Sequence, residues 1–140
     1  MKKGIQHSIL AASMSLLLST PGLMAADTIK LGVAGPHSGD LASYGIPTIK
    51  AAELVVQQVN ARGGINGKQV ELLIEDDVCK PEVATNTATK LVSDGVHAVL
   101  GHICSGATKA ALPIYNNSGI VVISPSATNP GLTQSGDYPN

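Results

Sequence analysis

The sequence contains no Phe and no Trp, although 44% of its 140 residues are apolar. Its hydrophobic core must therefore consist of Ala, Val, Ile and Leu, a mixture that is typical of parallel sheets buried on both faces by helices. The formal net charge is only −1, which gives no indication of a nucleic-acid partner. A chain of this length is sufficient for one modest domain.

The sequence also lacks an apolar segment long enough to cross a membrane. Residues 9–18, ILAASMSLLL, form an apolar stretch of ten, whereas a spanning helix needs about 20 residues. Two lysines precede this stretch, and a Pro-Gly pair breaks it before LMAAD. We interpret residues 1–26 as a signal peptide that is cleaved after Ala26, and we expect the chain to be exported.

Cysteine is scarce, because the chain has only two, Cys79 and Cys104. Cysteines of exported proteins are usually oxidised, so an even number predicts one disulfide. In the chain-entropy model, closing a loop of about 25 residues stabilises the fold by roughly 3 to 4 kcal/mol. The alternative is a catalytic Cys104 with His102 as its base, which requires a thiol that stays reduced outside the cytoplasm.

Apolar strand patterns alternate with helix patterns along the rest of the chain. We predict four strands at residues 28–35, 69–77, 96–101 and 120–124, and three helices at 47–62, 81–94 and 105–115. Pro47 is expected in the first turn of its helix, and Pro113 is expected to shorten the last helix. The alternation predicts an α/β fold with an open parallel sheet, helices on both faces and strand order 2-1-3-4.

Ligands of such a sheet bind outside the carboxyl ends of the strands, where the strand order reverses. This rule selects the loops after the first, third and fourth strands, GPHSGDLASYG, GHICSGA and SPSATNP, which are rich in small and hydroxyl residues. The second of these loops leads into a helix at Ser105, and the free N–H groups of a helix start favour an anion. Ser105 and Thr128 could hold a carboxylate there, although Ser105 could equally be only the helix N-cap.

The titratable residues give no pattern of a metal or cofactor site. Neither the G-x-G-x-x-G fingerprint nor a G-K-[ST] phosphate loop is present. The acids of IEDD, residues 74–77, end the second strand, one position away from the reversal point, and are expected to be solvated, with Asp77 in a loop, rather than to bind Mg²⁺ or a ribose. His97 is expected to be structural, and His102 is expected to pack rather than to bind in the cleft. We therefore predict no metal and no cofactor.

Four segments together resemble the periplasmic leucine/isoleucine/valine-binding proteins: IKLGVAGPHSGDLASYG, ARGGINGKQVELLIEDDVCKP, LVSDGVHAVLGHICSGAT and GIVVISPSATNP. These proteins are the substrate-binding components of branched-chain amino acid ABC transporters, and they have the type I periplasmic binding protein fold. The resemblance covers essentially all of residues 27–140. It implies that these residues form the N-terminal lobe of a two-lobed protein, without the return segments and without the second lobe.

The resemblance also implies which residues bind the ligand. The first-lobe contacts of the family fall on Tyr44, Ser105, Ser126 and Thr128. Ser105 and Thr128 would hold the carboxylate of an amino acid. Backbone groups near Ser126 would help to bind its α-amino and carboxyl groups, and Tyr44 would line the side-chain pocket. The second lobe would supply an acidic residue for the ammonium group.

The paired cysteines of the family fall on Cys79 and Cys104, so the resemblance implies the same disulfide. If the second and third strands flank the first, the loops that follow them must bend toward each other over its end, because a disulfide needs Cα atoms within about 7 Å. We expect this disulfide to brace the rim of the cleft and the start of the Ser105 helix.

The implied function is that of a monomeric binding protein, without enzymatic activity, that takes up a branched-chain amino acid in the periplasm and presents it to an inner-membrane ABC permease. Two alternatives remain open at this point. One is the ligand-binding ectodomain of a sensor or receptor with the same fold, and the other is a binder of other amino acids or small amides. Because only one lobe is present, we expect negligible affinity for this chain alone.

Overall fold

The computed structural model describes residues 27–134 and 136 of the chain. The predicted signal peptide, residues 1–26, lies outside the described residues. Strands and helices alternate in the described part: β1 (Ile29–Gly35), α1 (Ala42–Ala61), β2 (Val70–Asp76), α2 (Pro81–Ser93), β3 (Ala98–Leu100), α3 (Ser105–Asn117) and β4 (Val121–Ile123). A short 3₁₀-helix, Pro130–Leu132, follows in the last loop.

The strands form one parallel sheet with the order β2-β1-β3-β4, which confirms the predicted order. Ile29 pairs with Val70 at one end of the β1–β2 ladder, and Gly35 pairs with Asp76 at the other. Because the strands run the same way, the loops after β1, β3 and β4 leave the same edge of the sheet. The strand order reverses between β1 and β3, so this edge is where a ligand is expected.

Adjacent residues of β1 point to opposite faces of the sheet, and helices cover each face. Val33 packs with Ile49 and Ala52 of α1 on one face. Ala34 belongs to a larger cluster on the other face, which α2 and α3 cover. The other buried members of that cluster are Ala88, Leu91, Val96, Val99, Ala111 and Tyr115. The predicted helices on both faces of an aliphatic sheet are therefore confirmed.

Two helices extend beyond the ends that the sequence predicts. α1 begins at Ala42, so Pro47 lies inside it rather than in its first turn, and α3 continues past Pro113 to Asn117. A proline in a helix interior costs on the order of 3 kcal/mol, because one N–H is missing. In α3 the turn beyond Pro113 carries Tyr115, which is 1% exposed. Burial of such a large side chain contributes roughly 1.5–3 kcal/mol and offsets much of that cost.

The first turn of α1 lies against the loop after β1 because Gly45 has no side chain. A Cβ atom at Gly45 would come within 2.0 Å of the Pro36 carbonyl oxygen, and both residues are buried. The sequence predicts residues 42–45 as a loop, but they form the first turn of α1, which packs against the loop after β1. Tyr44 is carried into the helix with them.

Asp77 is buried, so the prediction that it lies in a solvated loop is wrong. Asp77 and His102 are both 0% exposed, and Asp77 Oδ2 lies 2.5 Å from His102 Nδ1. Asp77 Oδ1 accepts a hydrogen bond from the Cys79 N–H at 2.7 Å. The other ring nitrogen of His102, Nε2, lies 3.1 Å from the Tyr115 hydroxyl. The prediction fails because these partners come from segments that are remote in sequence.

The carboxylate fixes the direction of the first of these hydrogen bonds. A carboxylate only accepts, so His102 Nδ1–H donates to Asp77, and Nε2 shares a hydrogen bond with the Tyr115 hydroxyl. Burial, and secondly the charge of Asp77, raise the pKa of Tyr115, which keeps that hydroxyl protonated. The resulting Asp77–His102–Tyr115 chain links the ends of β2 and β3 to α3.

Asp76 joins the loop after β1 to the loop after β2. Its Oδ1 accepts hydrogen bonds from the N–H groups of His37 at 2.8 Å and Val78 at 2.9 Å, and its Oδ2 accepts one from the Ser38 hydroxyl. Burial alone would raise the pKa of Asp76, but the hydrogen bonds outweigh it and lower the pKa. The ionised carboxylate therefore holds both loops at neutral pH.

Cys79 and Cys104 are disulfide-bonded, as predicted, and their Cα atoms lie 5.5 Å apart. The loops after β2 and β3 therefore bend toward each other across the end of β1. Val78 and Cys79 have left-handed backbone conformations, with φ of 44° and 58°, which cost a non-glycine residue on the order of 1–3 kcal/mol. Their N–H groups donate to Asp76 and Asp77, and these hydrogen bonds hold the turn.

The imidazole of His37 lies between the end of β1 and the first turn of α1. Neither of its ring nitrogens has a hydrogen-bond partner within the described residues. Burial lowers the pKa of His37, and the nearby carboxylates of Asp76 and Asp77 oppose this effect only in part. The ring is therefore neutral in the folded chain at neutral pH.

Replacing Asp77 with Ala is expected to destabilise the fold strongly. The substitution leaves the His102 Nδ1–H and the Cys79 N–H buried without their acceptor, and breaking such a buried pair costs about 3–5 kcal/mol. Urea unfolding of the oxidised chain measures the change. The control is Glu53→Ala, because Glu53 pairs with Lys50 at the surface, where a pair contributes about 1 kcal/mol or less. Equal losses for the two variants would contradict the role of Asp77.

Replacing Gly45 with Ala is expected to destabilise the fold by about 1–3 kcal/mol, because the added methyl group must displace the Pro36 carbonyl. Gly106→Ala is the matched control in α3. A Cβ atom there would meet only the Pro81 side chain, at 3.7 Å, so this change should be neutral or stabilise by up to about 1 kcal/mol. Thermal unfolding compares the two variants. The idea fails if Gly106→Ala melts at the lower temperature.

The free energy of unfolding is expected to fall as the pH decreases below about 6.5, the ordinary pKa of histidine. Because the folded state lowers the pKa of His37, the unfolded chain binds a proton between the two pKa values that the folded chain does not bind. This favours unfolding across that window and has no effect above it. Urea unfolding from about pH 8 to about pH 5 should show a steeper fall for the wild type than for His37→Gln. Parallel curves would exclude His37 as a contributor.

Candidate functional site

An open cleft of about 380 Å³ lies at the edge of the sheet where β1, β3 and β4 end. Its walls come from the first turn of α1, the disulfide, the start of α3 and the loop after β4. The lining residues are Leu41, Tyr44, Cys79, Ile103, Cys104, Ser105 and Ser126. The structure thus places Tyr44, Ser105 and Ser126, which the resemblance implies as ligand contacts, around one cleft.

Tyr44 projects from the first turn of α1, and 66% of it is exposed. Its N–H donates to the Leu41 carbonyl at 3.0 Å, which fixes the backbone at the start of the helix. The phenol ring is therefore open to solvent at the rim of the cleft. A ring in this position can cover an apolar ligand side chain.

Ser105 is the first residue of α3 and is not its N-cap, which is Cys104. The Cys104 side chain makes no capping hydrogen bond, and the Ser105 hydroxyl accepts one from the Asn129 N–H at 3.3 Å. The alternative that Ser105 only caps its helix is therefore wrong. The first turn of α3 contains no acidic residue, and its free N–H groups give this end a partial positive charge that favours a carboxylate.

Ser126 and Thr128 lie in the loop after β4. The Ser126 hydroxyl donates to the Ile103 carbonyl at 3.3 Å, which holds this loop beside the start of α3. Thr128 is exposed and is not among the residues that line the cleft. The next residue, Asn129, donates a hydrogen bond to the Ser105 hydroxyl, so Thr128 lies near the start of α3. Its contact with a ligand stays a prediction.

Two apolar residues of the cleft, Leu41 and Ile103, were not predicted from the sequence. Leu41 is 40% exposed directly before α1, and Ile103 is 7% exposed directly after His102. Each is an aliphatic residue within a segment rich in glycine and serine, and this contrast is the signal that could have identified it. With the disulfide they form an apolar wall. No charged side chain lines the described part of the cleft.

A second open hollow, of about 510 Å³, shares Leu41 with the cleft. Its other lining residues are Ser38, Gly39, Asp40, Val78 and Lys80, so it presents side chains of both charges. It contains none of the predicted ligand contacts and does not reach the start of α3. The smaller cleft therefore has the chemistry that the sequence predicts for a site, although its volume is lower.

Cys104 and His102 do not form a pair of thiol and imidazole. Cys104 is disulfide-bonded, and Asp77 and Tyr115 engage both ring nitrogens of His102. Across residues 27–134 and 136, His, Cys, Asp and Glu side chains form no group of three or more that could hold a metal ion. None of the helices in this same part is long and apolar enough to cross a membrane.

Curated relatives match almost the whole chain. A leucine-, isoleucine-, valine-, threonine- and alanine-binding protein of Pseudomonas aeruginosa is 45% identical over 137 residues, which are 97% of this chain and 37% of that protein. A Leu/Ile/Val-binding protein of Escherichia coli is 41% identical over 129 residues, which are 92% of this chain and 35% of that protein. The chain thus spans about a third of the length of these relatives.

A solved structure has the same fold, namely the branched-chain amino acid transporter substrate binding protein LivJ of Streptococcus pneumoniae in complex with isoleucine. It is 44% identical to this chain, with a TM-score of 0.75, over 80% of this chain and 32% of that protein. The family model described as periplasmic binding protein matches residues 28–140. The resemblance inferred from the four sequence segments is therefore confirmed, and the chain belongs to the periplasmic binding protein family.

Proposed function

We propose that this chain is the N-terminal lobe of the substrate-binding protein of an ABC importer, and that it binds a branched-chain amino acid without performing chemistry on it. One observation carries this proposal. At the point where the strand order reverses, Ser105 at the start of α3 and Ser126 lie beside an apolar wall that includes Leu41 and Ile103. A zwitterion with an aliphatic side chain needs these two kinds of surface.

The carboxylate of the ligand would lie at the start of α3. There it would meet the free N–H groups of the helix and the Ser105 hydroxyl, and Thr128 would add a second hydroxyl. Backbone groups near Ser126 would share in binding the α-amino and carboxyl groups. Each hydrogen bond to a charged group contributes about 1.5–3 kcal/mol, so neutral groups are sufficient to hold the carboxylate.

The side chain of the ligand would lie against Leu41, Ile103 and the disulfide, with the ring of Tyr44 at the rim. Burial of a leucine-sized side chain contributes roughly 1.5–3 kcal/mol. The ammonium group of the ligand needs a counter-charge, and the described part of the cleft offers no carboxylate. A second lobe would supply it, which fits the greater length of the relatives.

The proposal includes a cellular location and partners. The signal peptide at residues 1–26 would direct the protein to the periplasm, and a monomer would deliver its ligand to an inner-membrane permease. The disulfide between Cys79 and Cys104 supports an oxidising compartment. Neither a cofactor nor a nucleic acid takes part in the proposed function.

The exported chain alone is expected to have negligible affinity for leucine. A ligand drives closure by its differential affinity for the closed state, and without the second lobe the ligand remains half in water. Isothermal titration of the exported chain with leucine measures this. Micromolar binding would contradict the assignment of the chain to one lobe of two.

The site itself can be tested in a two-lobed protein, in which residues 27–140 replace the matching segment of the Pseudomonas aeruginosa relative. This protein is expected to bind leucine, isoleucine or valine, and Ser105→Ala should weaken binding about tenfold, which corresponds to the loss of about 1.4 kcal/mol. Isothermal titration gives the dissociation constants.

Ser118→Ala is the matched control, because Ser118 lies at the other end of the same helix. A ligand panel that includes threonine, alanine and small amides separates the other ligand classes. The proposed site is wrong if Ser105→Ala and Ser118→Ala bind the preferred ligand equally well, and the proposed ligand class is wrong if a small amide binds more tightly than the aliphatic amino acids.

A further inference from the structure

We propose that Ser124 is a positioning residue of the ligand site, although it does not line the cleft. This inference rests on the proposed function, in which Ser105 and Ser126 contact the ligand. Ser124 would keep the two loops that carry these residues at the right distance from each other. Ser124 follows β4 directly, and its side chain is half-buried. Neither composition nor the family resemblance singled it out.

The Ser124 hydroxyl connects the two loops through two close hydrogen bonds and one longer, weaker one. It donates to the His102 carbonyl at 2.5 Å, and it accepts from the Ala127 N–H at 2.9 Å and the Ser126 N–H at 3.4 Å. A hydroxyl has one hydrogen to donate and two lone pairs to accept with. A side chain without a hydroxyl therefore loses the link on both sides at once.

The Ser124 link is the shortest of the side-chain hydrogen bonds between these loops. The Ser126 hydroxyl reaches the Ile103 carbonyl at 3.3 Å, and the Asn129 N–H reaches the Ser105 hydroxyl at 3.3 Å. Both distances exceed the usual range for such bonds and indicate weak interactions. A backbone hydrogen bond from the Gly101 N–H to the Ile123 carbonyl, at 2.9 Å, joins the chain just before these two loops. Beyond it, the Ser124 link is the closest side-chain contact between the loops.

The carbonyl that Ser124 binds is itself held in place by the core. The His102 ring is tied to Asp77 and Tyr115, and the Thr108 hydroxyl donates to the same His102 carbonyl at 3.1 Å. The loop after β3 is thus the fixed side of the link. Ser124 therefore holds the loop after β4, which carries Ser126 and Thr128, in position against the loop after β3.

The test compares the exported wild-type chain with Ser124→Ala and Ser124→Thr by NMR. Amide hydrogen exchange at Ala127 should be at least about fivefold faster in Ser124→Ala, which corresponds to the loss of about 1 kcal/mol. Ser124→Thr keeps the hydroxyl and should restore the wild-type rate. Leucine binding is measured separately, by isothermal titration of the two-lobed protein in which residues 27–140 replace the matching segment of the Pseudomonas aeruginosa relative. We expect the apparent dissociation constant to rise about fivefold in Ser124→Ala only.

Ser124→Val is compared with Ser124→Thr if Ser124→Ala does not fold, because these two side chains have the same shape and differ only in the hydroxyl. Unchanged exchange at Ala127 without the hydroxyl would overturn the link. Faster exchange with an unchanged dissociation constant for leucine in the two-lobed protein would overturn the positioning role, because the link would then be merely structural. If the wild-type chain shows the expected exchange but the two-lobed protein binds no leucine, the proposed function loses support while the loop link is confirmed.

Discussion

The edge of the sheet that carries the cleft depends on the buried contact between Asp77 and His102. A carboxylate that is removed from water is tolerated only when donors satisfy it, and Asp77 receives His102 on one oxygen and the Cys79 N–H on the other. His102 extends the link to Tyr115 in α3. The ends of β2 and β3 and the body of α3 are therefore fixed relative to each other, independently of the disulfide, and the start of α3 is placed where the strand order reverses.

The same arrangement explains why the cleft presents neutral groups. Asp76 and Asp77 lie close to the cleft, but their oxygens are engaged by the turns that they stabilise. The cleft is left with the start of α3, the hydroxyls of Ser105 and Ser126, and an apolar wall. The carboxylates of Asp76 and Asp77 hold the loops, and under the proposed function the charge of a ligand carboxylate would be met by dipoles, which bind it without burying a second full charge.

Features that depend on neighbours in sequence could be predicted, and features that depend on remote partners could not. The strand order follows from alternation and right-handed crossovers, and the cysteine pair follows from the even number of cysteines in a chain that is expected to be exported. Asp77 could not be placed, because an acidic residue after a strand has the local pattern of a solvated turn and its partner His102 lies on another strand end. The prediction that Pro113 shortens α3 is wrong, because the rule against proline in helices does not include the burial of Tyr115 beyond it. Tyr44 and Ser126 could be inferred only through the family resemblance.

A lobe that closes on a ligand benefits from loops that are already in place. A ligand shifts the balance between open and closed states only by the difference in its affinity for them, so any ordering of loops on binding reduces that difference. Here a continuous run of hydrogen bonds leads from Asp77 through the His102 ring, and from the His102 carbonyl through Ser124 to the Ala127 N–H. The loops are thus organised when the chain folds, and under the proposed function the contact energy of an amino acid would remain available for drawing a second lobe onto it.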